Sequence, residues 1–89
     1  MATIAPQTVT KVVAAGSWSK FCWIQNDSAV DVMITFDGTV PTDGTVGKKL
    51  YAHGTEIFER VFSQLYNGKD IYIYNPDGAT TITYWVQKV

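Results

Sequence analysis

The chain predicts an all-β fold: a single small antiparallel β-sandwich or jelly roll of about seven short strands. Three observations carry this. The runs between turns are rich in Val, Ile, Thr, Tyr, Phe and Trp, the residues that suit a pleated, half-buried surface. Apolar and polar residues alternate with a period of two, clearest where Val30, Val32, Ile34 and Phe36 interleave with Asp31, Met33, Thr35 and Asp37. Gly, Pro, Asn and Asp clusters punctuate the chain every eight to twelve residues or so, and no stretch keeps helical periodicity.

The elements follow in order. Residues 1–6 are small and apolar and read as an N-terminal arm ahead of one domain spanning 7–89. Residues 7–15 form a first strand, broken by Gly16-Ser17. Residues 20–25 and 30–37 read as a hairpin closed by Asn26-Asp27-Ser28-Ala29. That loop pairs Trp23 with Val32 and Phe21 with Ile34. It places Phe21, Trp23, Val30, Val32, Ile34 and Phe36 in the core, with Cys22, Ile24, Asp31, Met33 and Thr35 on the other face. Residues 37–46 are a turn-rich loop in which Asp-Gly-Thr-Val occurs twice, with Pro41 unfit for a central ladder. A short strand at 47–51 leads to a turn at His53-Gly54. Residues 55–62 are read as a strand, with a helix over 55–65 as the alternative, because Glu56, Glu59 and Arg60 also suit a helical polar face. Residues 63–68 form a turn. Strands at 70–74 and 79–88 are joined by Asn75-Pro76-Asp77-Gly78, a hairpin signal.

In that last hairpin Ile71, Ile73, Ile82, Tyr84 and Val86 share an apolar core face. Tyr72, Tyr74, Thr81, Thr83 and Trp85 share the other. An aromatic and threonine face is either covered in a two-layer fold or is a partner interface, where Tyr and Trp are enriched; a sugar-stacking platform is the third reading. With Ile4 and Pro6 of the arm, these five residues make the candidate interface.

Composition excludes several classes. At 89 residues there is room for one domain. A hydrophobic content of 46% argues against disorder. A net charge of −1, with no Lys/Arg cluster, disfavours nucleic acid. One cysteine cannot make an internal disulfide. No apolar run is long enough for a membrane span, and the N-terminus lacks the pattern of a signal peptide. Synthesis in a cytoplasm is therefore expected.

Catalytic chemistry finds little purchase. His53, the single histidine, precedes a glycine and reads as an exposed turn residue. Cys22 lies in Phe-Cys-Trp-Ile and reads as a small apolar core residue, although Lys20 shares its face. One His and one Cys do not build a closed zinc site. Asp37, Asp43 and Asp77 each precede Gly and read as turn residues, without the dense ligand pattern of a calcium loop. Asp27 with Asp31, or Glu56 with Glu59, are acid pairs with nothing to place them in a cleft. Glycine spacing matches no phosphate-binding loop. The expectation is a protein that is not an enzyme and needs no cofactor or metal.

The segments Ile24-Gln25-Asn26-Asp27-Ser28 and Val32-Met33-Ile34-Thr35-Phe36-Asp37-Gly38-Thr39 resemble small β-sandwich virion proteins of tailed bacteriophages. Those chains show an I-x-N strand end, a short polar turn and a strand closing in F-D-G-T. Gly47, Leu50 and Gly54 occupy a following Gly-x-x-Leu step and turn glycine, and residues 71–74 and 79–86 occupy the closing strands. The resemblance covers about residues 21–86; Trp18 and residues 1–6 depart from it. It implies a structural virion protein, first a capsid decoration (cement) protein bound to the major capsid protein or another virion protein. Such a protein is expected to be a homo-oligomer, with a trimer the first candidate, made in the bacterial cytoplasm and housed in the virion. The alternative it implies is a tail, neck or fibre component that binds a receptor or glycan. An extended arm that adds a strand to a neighbour's sheet would suit either role.

Overall fold

The computed structural model describes residues 2–59 and 69–89. Among these residues there is no helix, and eight strands form two antiparallel four-stranded sheets. The strands are β1 (Ala2–Ile4), β2 (Thr8–Val13), β3 (Phe21–Asn26), β4 (Val32–Thr35), β5 (Lys48–Leu50), β6 (Thr55–Glu59), β7 (Ile71–Asn75) and β8 (Ile82–Lys88). One sheet has the order β1-β8-β3-β6 and the other β2-β7-β4-β5. The predicted sandwich is what the chain forms.

Its connections differ from the predicted ones. Among the described strands, β4 and β5 are the only consecutive pair in one sheet; the other consecutive strands lie in opposite sheets. Neither predicted hairpin exists as a hairpin. Trp23 pairs with Ile57 and Gln87, not with Val32. Tyr72 pairs with Lys11 and Thr35, not with Thr81. The cause is visible at Asn26 and Asn75, which end β3 and β7 fully buried. A hairpin of two strands would leave these amides at a sheet end in water. Here each is drawn between the layers, and the chain arches over it into the opposite sheet.

Asn26 Nδ2 donates to the carbonyls of Val30 (2.8 Å), Leu50 (3.2 Å) and Tyr51 (3.2 Å). Asn75 Nδ2 donates to those of Thr80 (2.8 Å), Ile4 (3.2 Å) and Ala5 (3.2 Å). Each Oδ1 accepts the backbone N–H two residues on, from Ser28 and Asp77, at 3.1 Å. The two arches then hold the next turn identically. His53 N–H donates to Ser28 O at 3.1 Å, and Gln7 N–H to Asp77 O at 3.2 Å. Among the described residues, His53 and Gln7 are the two non-glycine residues with positive φ, 57° and 53°.

The fold is therefore two copies of one four-stranded unit. Replacing β1, β2, β3 and β4 by β5, β6, β7 and β8, and the reverse, turns one sheet's order into the other's. The registers follow: Ile4 opposite Ile82 matches Leu50 opposite Val32, and Lys11 opposite Tyr72 matches Ile57 opposite Trp23. The central ladders depart from this by two residues. Gln25 faces Trp85, whereas its counterpart Tyr74 faces Met33 rather than Thr35.

The core lies between the sheets. Ile4, Val13, Trp18, Cys22, Ile24, Val32, Ile34, Leu50, Ile71, Ile73 and Ile82 are buried there, with Val30, Phe36, Tyr84 and Val86 packed on them. The predicted core faces of β4, β7 and β8 are correct. That of β3 is inverted: Cys22 and Ile24 point inward, and Phe21 and Trp23 are half-buried on the outside.

The N-terminal segment is not an arm. Ala2, Thr3 and Ile4 pair with Tyr84, Thr83 and Ile82 as the edge strand β1, and Ile4 is 1% exposed. Residues 55–59 of the segment with the helical alternative are strand; residues 60–65 and the turn predicted at 63–68 fall outside the described residues.

Candidate interaction face

Two outer faces of the sandwich meet solvent, and their chemistry differs. On the β1-β8-β3-β6 sheet, strand alternation sends Thr3, Phe21, Trp23, Gln25, Thr55, Ile57, Thr83, Trp85 and Gln87 outward. None of these side chains is charged. Glu59 stands opposite Phe21 in the backbone register at one end of this face. Across the sheet, Ile57, Trp23 and Gln87 form one row, and Thr55, Gln25 and Trp85 the next. Trp23 and Trp85 are diagonal neighbours, with ring centroids 5.0 Å apart and planes at 79°, an edge-to-face pair. Trp85 remains 41% exposed and Ile57 55%. The Trp23 indole N–H is buried without an acceptor among the described residues. Thr83 is already engaged: its Oγ1 donates to Asp27 O at 2.9 Å, and Asp27 N–H donates to Thr83 O.

The other sheet turns Val9, Lys11, Tyr72, Tyr74, Met33, Thr35 and Lys49 outward. Met33 and Thr35 are nonetheless buried. Tyr74 flanks Met33, and Thr35 Oγ1 donates to Thr39 O at 2.5 Å, where residues 36–47 fold over the strand end. Lys11 lies 3.9 Å from Asp70, and Lys49 sits over the Tyr51 ring at 5.8 Å. This face is charged and partly covered.

The seven predicted interface residues are thus dispersed. Thr83 and Trp85 share the uncharged face, Tyr72 and Tyr74 lie on the opposite one, and Thr81 is exposed in the arch before β8. Ile4 is core, and Pro6 is half-buried in the arch after β1. The prediction missed Trp23, Gln25, Ile57 and Gln87. The mistaken hairpin register removed Trp23 to the core; correct cross-strand partners would have returned it.

Among the described residues, the reactive side chains do not converge. Cys22 is wholly buried, and burial raises its thiol to about 11 against a smaller opposing pull from Lys88. It is a protonated core residue at neutral pH. His53 is exposed in its turn near the Asn26 end of β3, whereas Cys22 lies towards the other end. Asp37, Asp43 and Asp77 are held below the usual carboxylate range by hydrogen bonds from their own turns: Thr39 N–H, the Thr45 hydroxyl, and Ala79 N–H come first. Each caps a turn rather than serving as a base. No group of three His, Cys, Asp or Glu side chains suited to a metal occurs among the described residues. A groove of about 370 Å³ lies beside β4, lined by Ile34, Thr35, Phe36, Asp37, Val46 and Lys48 among others. It offers one carboxylate and one ammonium to a mostly apolar wall.

Comparison with protein families, with characterised proteins and with solved structures found no match to this chain.

Proposed function

We propose that this protein is a non-enzymatic structural module of a phage virion, first a head decoration protein that adds to and stabilises the shell. The observation that carries the reading is the outer face of the β1-β8-β3-β6 sheet, whose nine outward side chains named above are neutral and where Trp85 and Ile57 stand exposed beside Trp23. Apolar, aromatic patches of this kind mark protein contacts. The two arches tie the strands of both sheets to one another, so the face is presented on a rigid body. Many weak copies acting together on a repeating shell gain avidity. The phage assignment itself rests on the resemblance of residues 21–86.

The test is biochemical. Particles purified from a producing host should contain the chain at a fixed, high copy number. Adding the purified chain to shells that lack it should raise the temperature at which they open. Absence of the chain from mature particles sinks the proposal.

One observation favours a second reading, a tail or fibre component that binds glycan. Trp85 presents an exposed ring next to the amides of Gln25 and Gln87, the chemistry that stacks and hydrogen-bonds a neutral sugar. Binding to a glycan array that is lost in Trp85→Ala would favour it over decoration.

A further inference from the structure

We infer that the sandwich is an interlocked pair of half-chains, residues 1–42 and 43–89, and that the 37–46 loop between them is a tether. Each half's binding partner is the other half, and the fold survives a cut between them. The inference goes beyond the proposed function and does not depend on it.

Strand pairing carries it. One half holds β1–β4 and the other β5–β8. Among the described residues there are six ladders: β1-β8, β8-β3, β3-β6, β2-β7, β7-β4 and β4-β5. Every one pairs a strand of one half with a strand of the other, and none lies within a half. Strands without partners are not stable in water, so neither half makes a sheet alone.

The polar contacts run the same way. Asn26 donates across to Leu50 O and Tyr51 O, and Asn75 to Ile4 O and Ala5 O. Ala52 N–H donates to Asp31 Oδ1 and Ala15 N–H to Asp70 Oδ1, each at 2.8 Å. Val89 O receives the N–H groups of Ser19 at 2.9 Å and Lys20 at 2.7 Å. The core is shared too: Ile4, Ile24 and Ile34 cluster with Ile71, Ile73 and Ile82.

The loop divides cleanly. Residues 42–45 are exposed. A break between Thr42 and Asp43 leaves buried Pro41 and the Thr35–Thr39 hydrogen bond with the first half. It leaves the Asp43–Thr45 turn with the second. What the break removes is proximity, an effective concentration on the order of millimolar for a short tether. The tether's position is also replaceable. Ile4 opposite Ile82 matches Leu50 opposite Val32, so β8 meets β1 as β4 meets β5. A link from Val89 to Ala2 should serve in the loop's place.

The experiment inserts the recognition sequence of a site-specific protease between Thr42 and Asp43 of the full chain. Lengthening an exposed loop costs little. Urea unfolding is followed by circular dichroism before and after cleavage, from about 1 μM to about 100 μM. The uncut midpoint should not depend on concentration. After cleavage the two pieces should co-elute at the uncut volume, part in urea and reassemble on dilution. Their midpoint should climb with concentration, each tenfold step adding about 1.4 kcal/mol. Pieces that separate or lose their sheet signal without denaturant at about 100 μM overturn the inference. So does a cleaved midpoint that stays fixed across that range, since one piece then carries the fold alone. A circular permutant needs no insertion: it begins at Asp43, ends at Thr42 and joins Val89 to Ala2 through a Gly/Ser linker. It should show the wild-type sheet signal and a concentration-independent midpoint; a permutant without sheet overturns the inference.

Discussion

Asn26 and Asn75 hold the two halves of the sandwich by the same contacts: each side-chain amide donates to three backbone carbonyls, at 2.8, 3.2 and 3.2 Å. Each joins its own arch to the end of an edge strand in the opposite sheet, β5 for Asn26 and β1 for Asn75. Removing either amide leaves its carbonyl partners without a donor, above all the buried Leu50 O for Asn26 and Ile4 O for Asn75, at a cost of about 1–3 kcal/mol for each group left unsatisfied. Asn26→Ala and Asn75→Ala should each lose about 3 kcal/mol or more in urea unfolding. Asn26→Ala should be the worse, because Asn26 Oδ1 also accepts the Ser28 hydroxyl at 2.6 Å. Asn26→Asp should fare no better than Ala at neutral pH, since a carboxylate has no N–H for the carbonyls of Val30, Leu50 and Tyr51. A loss below about 1 kcal/mol for both alanine variants would show that the arches do not depend on the amides.

Residues 1–6 should be indispensable to the fold. Ile4 is buried in the core, and its carbonyl, with that of Ala5, receives Asn75. Ile4→Ala should cost about 2–5 kcal/mol, the usual range for emptying such a site. Deleting residues 1–6 should cost more, since β1 also completes the edge of its sheet on β8. Denaturant midpoints measure both. A truncated chain as stable as the full one would restore these residues to the role of a free arm.

Much of the architecture was legible because strand periodicity is local. Alternation at Val32 and Ile34, and at Ile71 and Ile73, gives the inward face without knowledge of any partner. Pairing is not local. Asn26-Asp27-Ser28 and Asn75-Pro76-Asp77 carry turn chemistry that serves a hairpin or an arch equally well. The deciding interactions come from Leu50, Tyr51, Ile4 and Ala5, far away in sequence. One signal was present: Ile24-Gln25-Asn26 recurs as Ile73-Tyr74-Asn75, 49 positions on. Read as an internal repeat, it would have equated β3 with β7 and exposed the duplication. The Asp-Gly-Thr-Val pair, by contrast, lies wholly within the 37–46 loop and repeats only a local turn, Thr39 N–H to Asp37 Oδ1 and Thr45 N–H to Asp43 Oδ1. The candidate face was half legible. Trp85 and Thr83 were placed outward correctly, but assigning Tyr72 and Tyr74 to them assumed a pairing that the arch forbids.

Two glycines separate backbone strain from steric overlap. Gly47 has φ 97°, and a Cβ there would lie 2.6 Å from Ile34 O and 2.8 Å from Thr35 Cγ2. Gly16 has φ 74° with open space around it. Gly16→Ala should therefore carry only the conformational penalty, about 1 kcal/mol. Gly47→Ala should exceed it by 1–3 kcal/mol or so, because the neighbouring atom is backbone and β4–β5 pairing must shift. Thermal unfolding of both variants decides this; equal losses would show that the loop after Phe36 yields without strain.

Alkaline pH should unfold the chain through Cys22. Burial raises its thiol from 9.0 to about 11, so the folded state holds the proton where an unfolded chain releases it. The stabilisation is complete below about pH 9 and disappears as pH rises towards 11. At 1.36 kcal/mol per pKa unit the swing is on the order of 2–3 kcal/mol. Tyr84, also raised by burial, adds a loss that begins near pH 10, where the unfolded phenol ionises. Cys22→Ala should cost stability at pH 7 through lost packing, yet flatten the decline between pH 9 and 11, leaving the Tyr84 component. Urea unfolding of both proteins at pH 7, 9 and 10.5 or so separates the two groups. A decline as steep in Cys22→Ala as in the wild type would mean that the thiol is not what the alkaline transition reads.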